Sequence, residues 1–242
     1  VAAQDRRRAG EEEPVNALDR IFTPLLPGAH WRDRMVAVAG SLTGIALTAW
    51  IGSFLAGSPQ SALLLVAPMG ASAVLLYAVP SSPLAQPWPI VGGSVVSALT
   101  GVATAHWLGH GVLAAGVGVS VAILAMSVLR CLHPPGGACG LLAVLGGPDI
   151  LAHGYAYALI PVGLNAITLV VMGIAFHRIS GHSYPHRPVK AAPTPEAAKL
   201  LAADIDAAIE EMGETFDISR EDLEALLASA ERHAEARRRR KS

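Results

Sequence analysis

Two short stretches carry the residue types that could hold a ligand in an otherwise apolar chain. Pro68-Met69-Gly70-Ala71-Ser72 and Arg130-Cys131-Leu132-His133-Pro134-Pro135-Gly136-Gly137-Ala138-Cys139 each set a proline–glycine break beside a hydroxyl or a thiol. Proline has no N–H and cannot continue a helix, whereas glycine permits the turn. Helix is expected to resume after Gly70 and again after Gly137, so each restart is an N-terminus with unpaired amides and partial positive charge. Two such ends converging at one depth would bind a small anion with few charged side chains. The candidate substrate-binding residues are therefore Pro68, Gly70, Ala71, Ser72, Arg130, His133, Pro134, Pro135, Gly136, Gly137, Ala138 and Cys139, joined by Asn165 from a later apolar segment.

Arg130 and His133 each allow two readings. A charged side chain within a membrane segment is costly and rarely idle, so Arg130 could draw an anion inward. Alternatively it ends a helix, pairing with carbonyls or snorkelling to headgroups. His133 could donate to a substrate or change charge near neutral pH, or it could lock the break by bonding to backbone carbonyls. Asn165 and Thr168 face the bundle interior as ligands or as glue between helices.

The elements that must position these residues are membrane helices. Between Met35 and Phe176 the only Asp, Glu, Lys or Arg residues are Arg130 and Asp149. A water-exposed surface cannot be built from such a stretch, whereas lipid tolerates it. Turn residues divide it into six apolar pieces: about 35–55, 61–79, 90–108, 111–132, 133–145 and 155–177. Four approach the roughly 20 residues that a spanning helix needs. The second is borderline, and the fifth is too short without help. Arg20, Arg32 and Arg34 precede the first piece, and Arg178, Arg187 and Lys190 follow the last. The positive-inside rule then puts both ends in the cytoplasm and makes the number of crossings even. Six crossings fit, as do four with two re-entrant segments.

An internal repeat is also expected. Pro68 to Leu75 lines up with Pro135 to Leu142 at an offset of 67 residues, giving two units of helix, broken segment, helix. Three crossings per unit would make the repeat inverted; chance similarity in Gly/Ala/Pro-rich sequence is the alternative. Gly40-x-x-x-Gly44 and Gly93-x-x-x-Ser97-x-x-x-Gly101 read as packing stripes. Beyond Pro188, Thr194-Pro195-Glu196 reads as the start of one helix and Ser219-Arg220-Glu221-Asp222 as the capping box of another.

No phosphate loop, nucleophile–base constellation or intramembrane carboxylate pair is present in the sequence, and nothing in it argues for an enzyme or a cofactor. His177, His182 and His186 lack a Cys or carboxylate to complete a metal set, so no metal site is expected.

Leu132-His133-Pro134-Pro135-Gly136-Gly137-Ala138, Ala67 to Leu75, and Val79 to Pro87 running on to Gly92-Gly93 together resemble the HPP family of integral membrane proteins, over about 32–177. The resemblance implies transport, since plastid and cyanobacterial members are associated with nitrite. The family is usually described with four membrane helices. Some bacterial relatives continue into nucleotide-binding CBS domains, and Asp217 to Leu223 looks like the segment leading to them.

The expected molecule is an all-α polytopic protein of the bacterial inner membrane with four to six membrane helices. Residues 1–31 and 181–242 are cytoplasmic and residues 32–180 form the membrane domain. Its partners would be a small anion and the bilayer, not nucleic acid, and the small-residue stripes permit a homo-oligomer. The competing expectation is a membrane sensor or anchor whose cytoplasmic hairpin recruits a partner.

Overall fold

A computed structural model of the chain describes residues 31–55, 65–187, 202–212 and 217–239, all in helices and turns with no strand among them. The chain divides into two compact units, residues 1–34 and 35–242. The elements below lie in the second, apart from the start of α1. In order they are α1 (Trp31–Leu55), α2 (Pro68–Ala78), a π-type turn (Pro89–Gly93) leading into α3 (Ser94–Leu108), α4 (Val112–Val128) and α5 (Pro134–Leu145). The short α6 (Pro148–His153) and a second π-type turn (Ala158–Gly163) lead into α7 (Leu164–Ser180), and α8 (Ala202–Met212) and α9 (Arg220–Arg239) follow.

Three segments, Trp31–Leu55, Pro89–Leu108 and Ala158–Ser180, are long and apolar enough to cross a membrane. Their packing inverts the pattern of a water-soluble bundle. In α1 the buried residues are Ala37, Gly40, Gly44, Thr48 and Gly52, while Leu42 and Phe54 are 70% and 73% exposed. Small residues let helices approach, and large apolar ones are left to the hydrocarbon. The Gly40–Gly44 stripe receives the ring of Tyr77: a Cβ at Gly40 would lie 2.5 Å from Tyr77 Cδ1 and 2.8 Å from Phe176 Cε1. The Gly40–Gly44 stretch of α1 therefore lies beside the ends of α2 and α7.

The Gly93–Ser97–Gly101 stripe packs α3 against α5. A Cβ at Gly136 would lie 3.0 Å from the Gly93 backbone, and one at Gly140 would lie 2.7 Å from the Ser97 carbonyl oxygen. Both numbers rise together along the two helices, so α3 and α5 run parallel. The same holds for α2 and α7: the Val66 N–H donates to Asn165 Oδ1 at 3.1 Å, and His177 Nε2 donates to the Leu76 carbonyl at 2.9 Å. The 79–88 loop joins α2 to the π-type turn that opens α3. Each third helix of a unit opens with a π-type turn, closed by Gly93 in one and Gly163 in the other. In the second of these Ile160 leaves helical dihedrals (φ −133°, ψ 112°), as expected before a proline. The described helices thus follow, twice over, the expected order of helix, short helix, helix.

The hairpin forms where its capping box places it. The Asp222 N–H donates to Ser219 Oγ at 3.1 Å, and Arg220 Nη2 meets Asp206 Oδ2 at 2.6 Å, joining α9 to α8. The expected start at Thr194-Pro195-Glu196 lies outside the described residues.

Candidate functional site at the two short helices

α2 has 11 residues and α5 has 12. At about 1.5 Å per residue neither reaches across a hydrocarbon core of about 30 Å. Each begins at proline, whose missing N–H and fixed φ suit the first turn of a helix; His133 before α5 is extended, whereas Ala67 before α2 already has helical dihedrals.

The junction between them is His133, which immediately precedes α5. Its Nε2 lies 2.8 Å from Ser72 Oγ in the second turn of α2, and its Nδ1 lies 2.9 Å from the Leu84 carbonyl oxygen. A carbonyl only accepts, so Nδ1 carries the proton of that bond. In the neutral ring Nε2 then accepts from the Ser72 hydroxyl. That hydroxyl has a second acceptor, the Pro68 carbonyl, at 3.3 Å. His133 and Ser72 are both fully buried. One imidazole thus ties α2, α5 and the 79–88 loop together.

The structure also shows how much of each helix start remains for a ligand. Pro68, Pro134 and Pro135 have no N–H to offer. The amides of Met69 and Gly70 donate to Val66 and Ala67 carbonyls at 3.0 Å, and the Gly136 amide donates to the His133 carbonyl at 2.8 Å. These tight bonds satisfy donors that an ordinary N-terminus leaves free. The supply of unpaired amides is smaller than the proline–glycine pattern suggests.

What remains approachable is the backbone at the two glycines. Gly70 and Ala71 are exposed, Gly137 is half-buried and Ala138 exposed; a Cβ at either Gly70 or Gly137 would meet nothing within 4 Å. Pro68, Pro135, Gly136 and Cys139 are buried and Pro134 is exposed. Asn165 is buried and caps the approach to α2 through Val66.

Arg130 stands apart from this group. It ends α4 with φ 53° and is exposed, whereas His133, three residues on, is fully buried. That is the placement of a side chain reaching for headgroups or solvent. His177, His182 and His186 are divided among Leu76, Ser180 and Asp222.

Three buried residues near α5 were not singled out as ligands from the sequence. Tyr157 donates to the Cys139 carbonyl at 3.4 Å. The Ser94 hydroxyl sits beside the Cys139 thiol, a weak acceptor, without a hydrogen bond of good geometry. Ser97 Oγ has no partner either. Ser97 had a visible signal in the small-residue stripe; Ser94 and Tyr157 had none.

The family model for the HPP transmembrane region matches residues 26–185. The chain belongs to the HPP family. Two transmembrane proteins of Dictyostelium discoideum are similar to this HPP protein. One is 31% identical over 172 residues, covering 69% of this chain and 50% of the relative. The other is 32% identical over 150 residues, covering 60% and 52%. The chain spans about half the length of the curated relatives it matches. No solved structure matches. The apolar helices and the family together make this a multi-pass membrane protein, and its His-Pro-Pro is the His133 junction that joins the two short helices.

Proposed function

We propose that this HPP protein is a transporter or channel for a small inorganic anion, with nitrite the first candidate to test. The observation that carries the reading is the pair of short helices joined by the buried Ser72–His133 contact. Short helices starting inside a bundle are where inverted-repeat transporters place their substrate. Here the approachable backbone is at Gly70-Ala71 and Gly137-Ala138, with the Ser72 hydroxyl and the His133 ring behind it. Nitrite is taken as a candidate from what the HPP resemblance implies; the similar Dictyostelium proteins are named only as transmembrane proteins. The basic flanks, including Arg34, Arg178 and Arg187, support an orientation with both ends cytoplasmic.

The test is nitrite flux in proteoliposomes, with nitrate, formate and chloride as competitors. Flux that is saturable and drops at least about tenfold in Ser72→Ala and His133→Asn, with both variants folded, supports the reading. Well-folded protein that carries none of these anions sinks it.

A second reading is a membrane anchor or sensor. It is favoured by the attachment of the segment before α9 to the membrane domain, where the Ser82 hydroxyl donates to Asp217 at 2.8 Å. A partner retained on the hairpin in the absence of any flux would support it.

A further inference from the structure

The hairpin reaches the membrane domain at two carboxylates, and both contacts converge on the 79–88 loop. Asp217 accepts the Ser82 hydroxyl at 2.8 Å through Oδ1, with Oδ2 at 3.0 Å. Asp222 meets His186 Nε2 at 2.8 Å, and the His186 amide donates to Gln86 Oε1 at 2.9 Å. Gln86 then folds the loop around itself, its Nε2 donating to the Pro80 and Ser82 carbonyls at 3.0 and 2.8 Å. Ser82 Oγ also accepts the Leu84 amide at 3.1 Å. Leu84 is thereby tied to Ser82, and its own carbonyl receives His133 Nδ1 at 2.9 Å.

We propose that the C-terminal hairpin is a conformational clasp: through Asp217 and Asp222 it holds the 79–88 loop in the shape that keeps His133 locked between α2 and α5. Hydrogen bonds to a carboxylate are stronger than neutral ones. Ser82 is almost fully buried, so losing Asp217 leaves a buried hydroxyl that must find another acceptor. The loop is the shared element. Both carboxylate contacts end on it or on a residue bonded to it, and it meets the His-Pro-Pro junction through the Leu84 carbonyl. Displacement of the hairpin, by a partner or by a change in charge at its start, would free that carbonyl and loosen the junction. This holds whatever the membrane domain carries.

The test is amide hydrogen exchange on the full chain in lipid nanodiscs, which needs no substrate. In the Asp217→Ala/Asp222→Ala variant, exchange should quicken about tenfold in peptides covering 80–87 and also in those covering 131–137, while α3 stays as protected as in the parent. Ser82→Ala, which removes both the Asp217 contact and the loop's own bond from the Leu84 amide, should reproduce both changes. Faster exchange in 80–87 alone would overturn the coupling to His133, and unchanged exchange in both would overturn the clasp itself. If the double variant also loses protection in α3, the same two peptides in Ser82→Ala decide between these outcomes.

Discussion

Substituting alanine at Gly140 and at Gly137, three residues apart in α5, should move stability in opposite directions. At Gly140 the new methyl would lie 2.6 Å from Ser97 Oγ and 2.7 Å from the Ser97 carbonyl oxygen. The hydroxyl can rotate away, but the carbonyl belongs to α3, so relief requires the two helices to separate by several tenths of an ångström. Overpacking of this kind costs about 1–3 kcal/mol. Separation also loosens the Gly136–Gly93 contact one turn earlier, which places the value in the upper half of that range. At Gly137 the methyl meets nothing within 4 Å, and replacing glycine by alanine in a helix gains up to about 1 kcal/mol. The expected difference between the variants is about 3 kcal/mol, with Gly140→Ala below the parent and Gly137→Ala level with it or above. Cys131 and Cys139 are both free and buried, so a thiol-reactive fluorophore reads thermal unfolding directly in detergent or nanodiscs. Equal melting temperatures for the two variants, or the reverse order, would refute the reasoning that a direct backbone approach fixes α3 against α5.

Two further outcomes follow from buried polar atoms. Tyr77 Oη is buried and unpartnered, so Tyr77→Phe removes an unsatisfied hydroxyl and should leave stability unchanged or raise it by up to about 1 kcal/mol in the same melting assay. Asn165→Ala should cost about 1–3 kcal/mol, because it strips the Val66 amide of its acceptor in a buried setting; hydrogen exchange at 66–72 would quicken, and unaltered exchange there would show that Asn165 does not anchor α2.

Much of the architecture was legible along the chain because its causes are local. A stretch of more than a hundred residues with two charges has only lipid as a compatible solvent. Proline at 68, 134 and 135 suits the first turn of a helix, so a restart near each break was visible, but α2 and α5 begin at Pro68 and Pro134 and not, as expected, after Gly70 and Gly137. The stripe of Gly93, Ser97 and Gly101 announced a close contact, and Ser219 announced the start of α9. Local chemistry also misled in one respect. A proline–glycine break implies free amides, but the Met69, Gly70 and Gly136 amides turn back onto carbonyls three residues earlier, a satisfaction that depends on the dihedrals adopted and not on residue type.

The sequence by itself determined the solvent, a helix restart near each break and the small faces on which helices could meet. Tertiary structure alone decided the partners: α5 for α3, α7 for α2, Ser72 for His133 across 61 residues, and Ser82 for Asp217 across 135. The physical reason is that helices apolar on every side carry no amphipathic stripe to mark a mate. In lipid the choice falls to shape and to a few polar atoms that must find each other, and neither is a property of neighbouring residues in the chain.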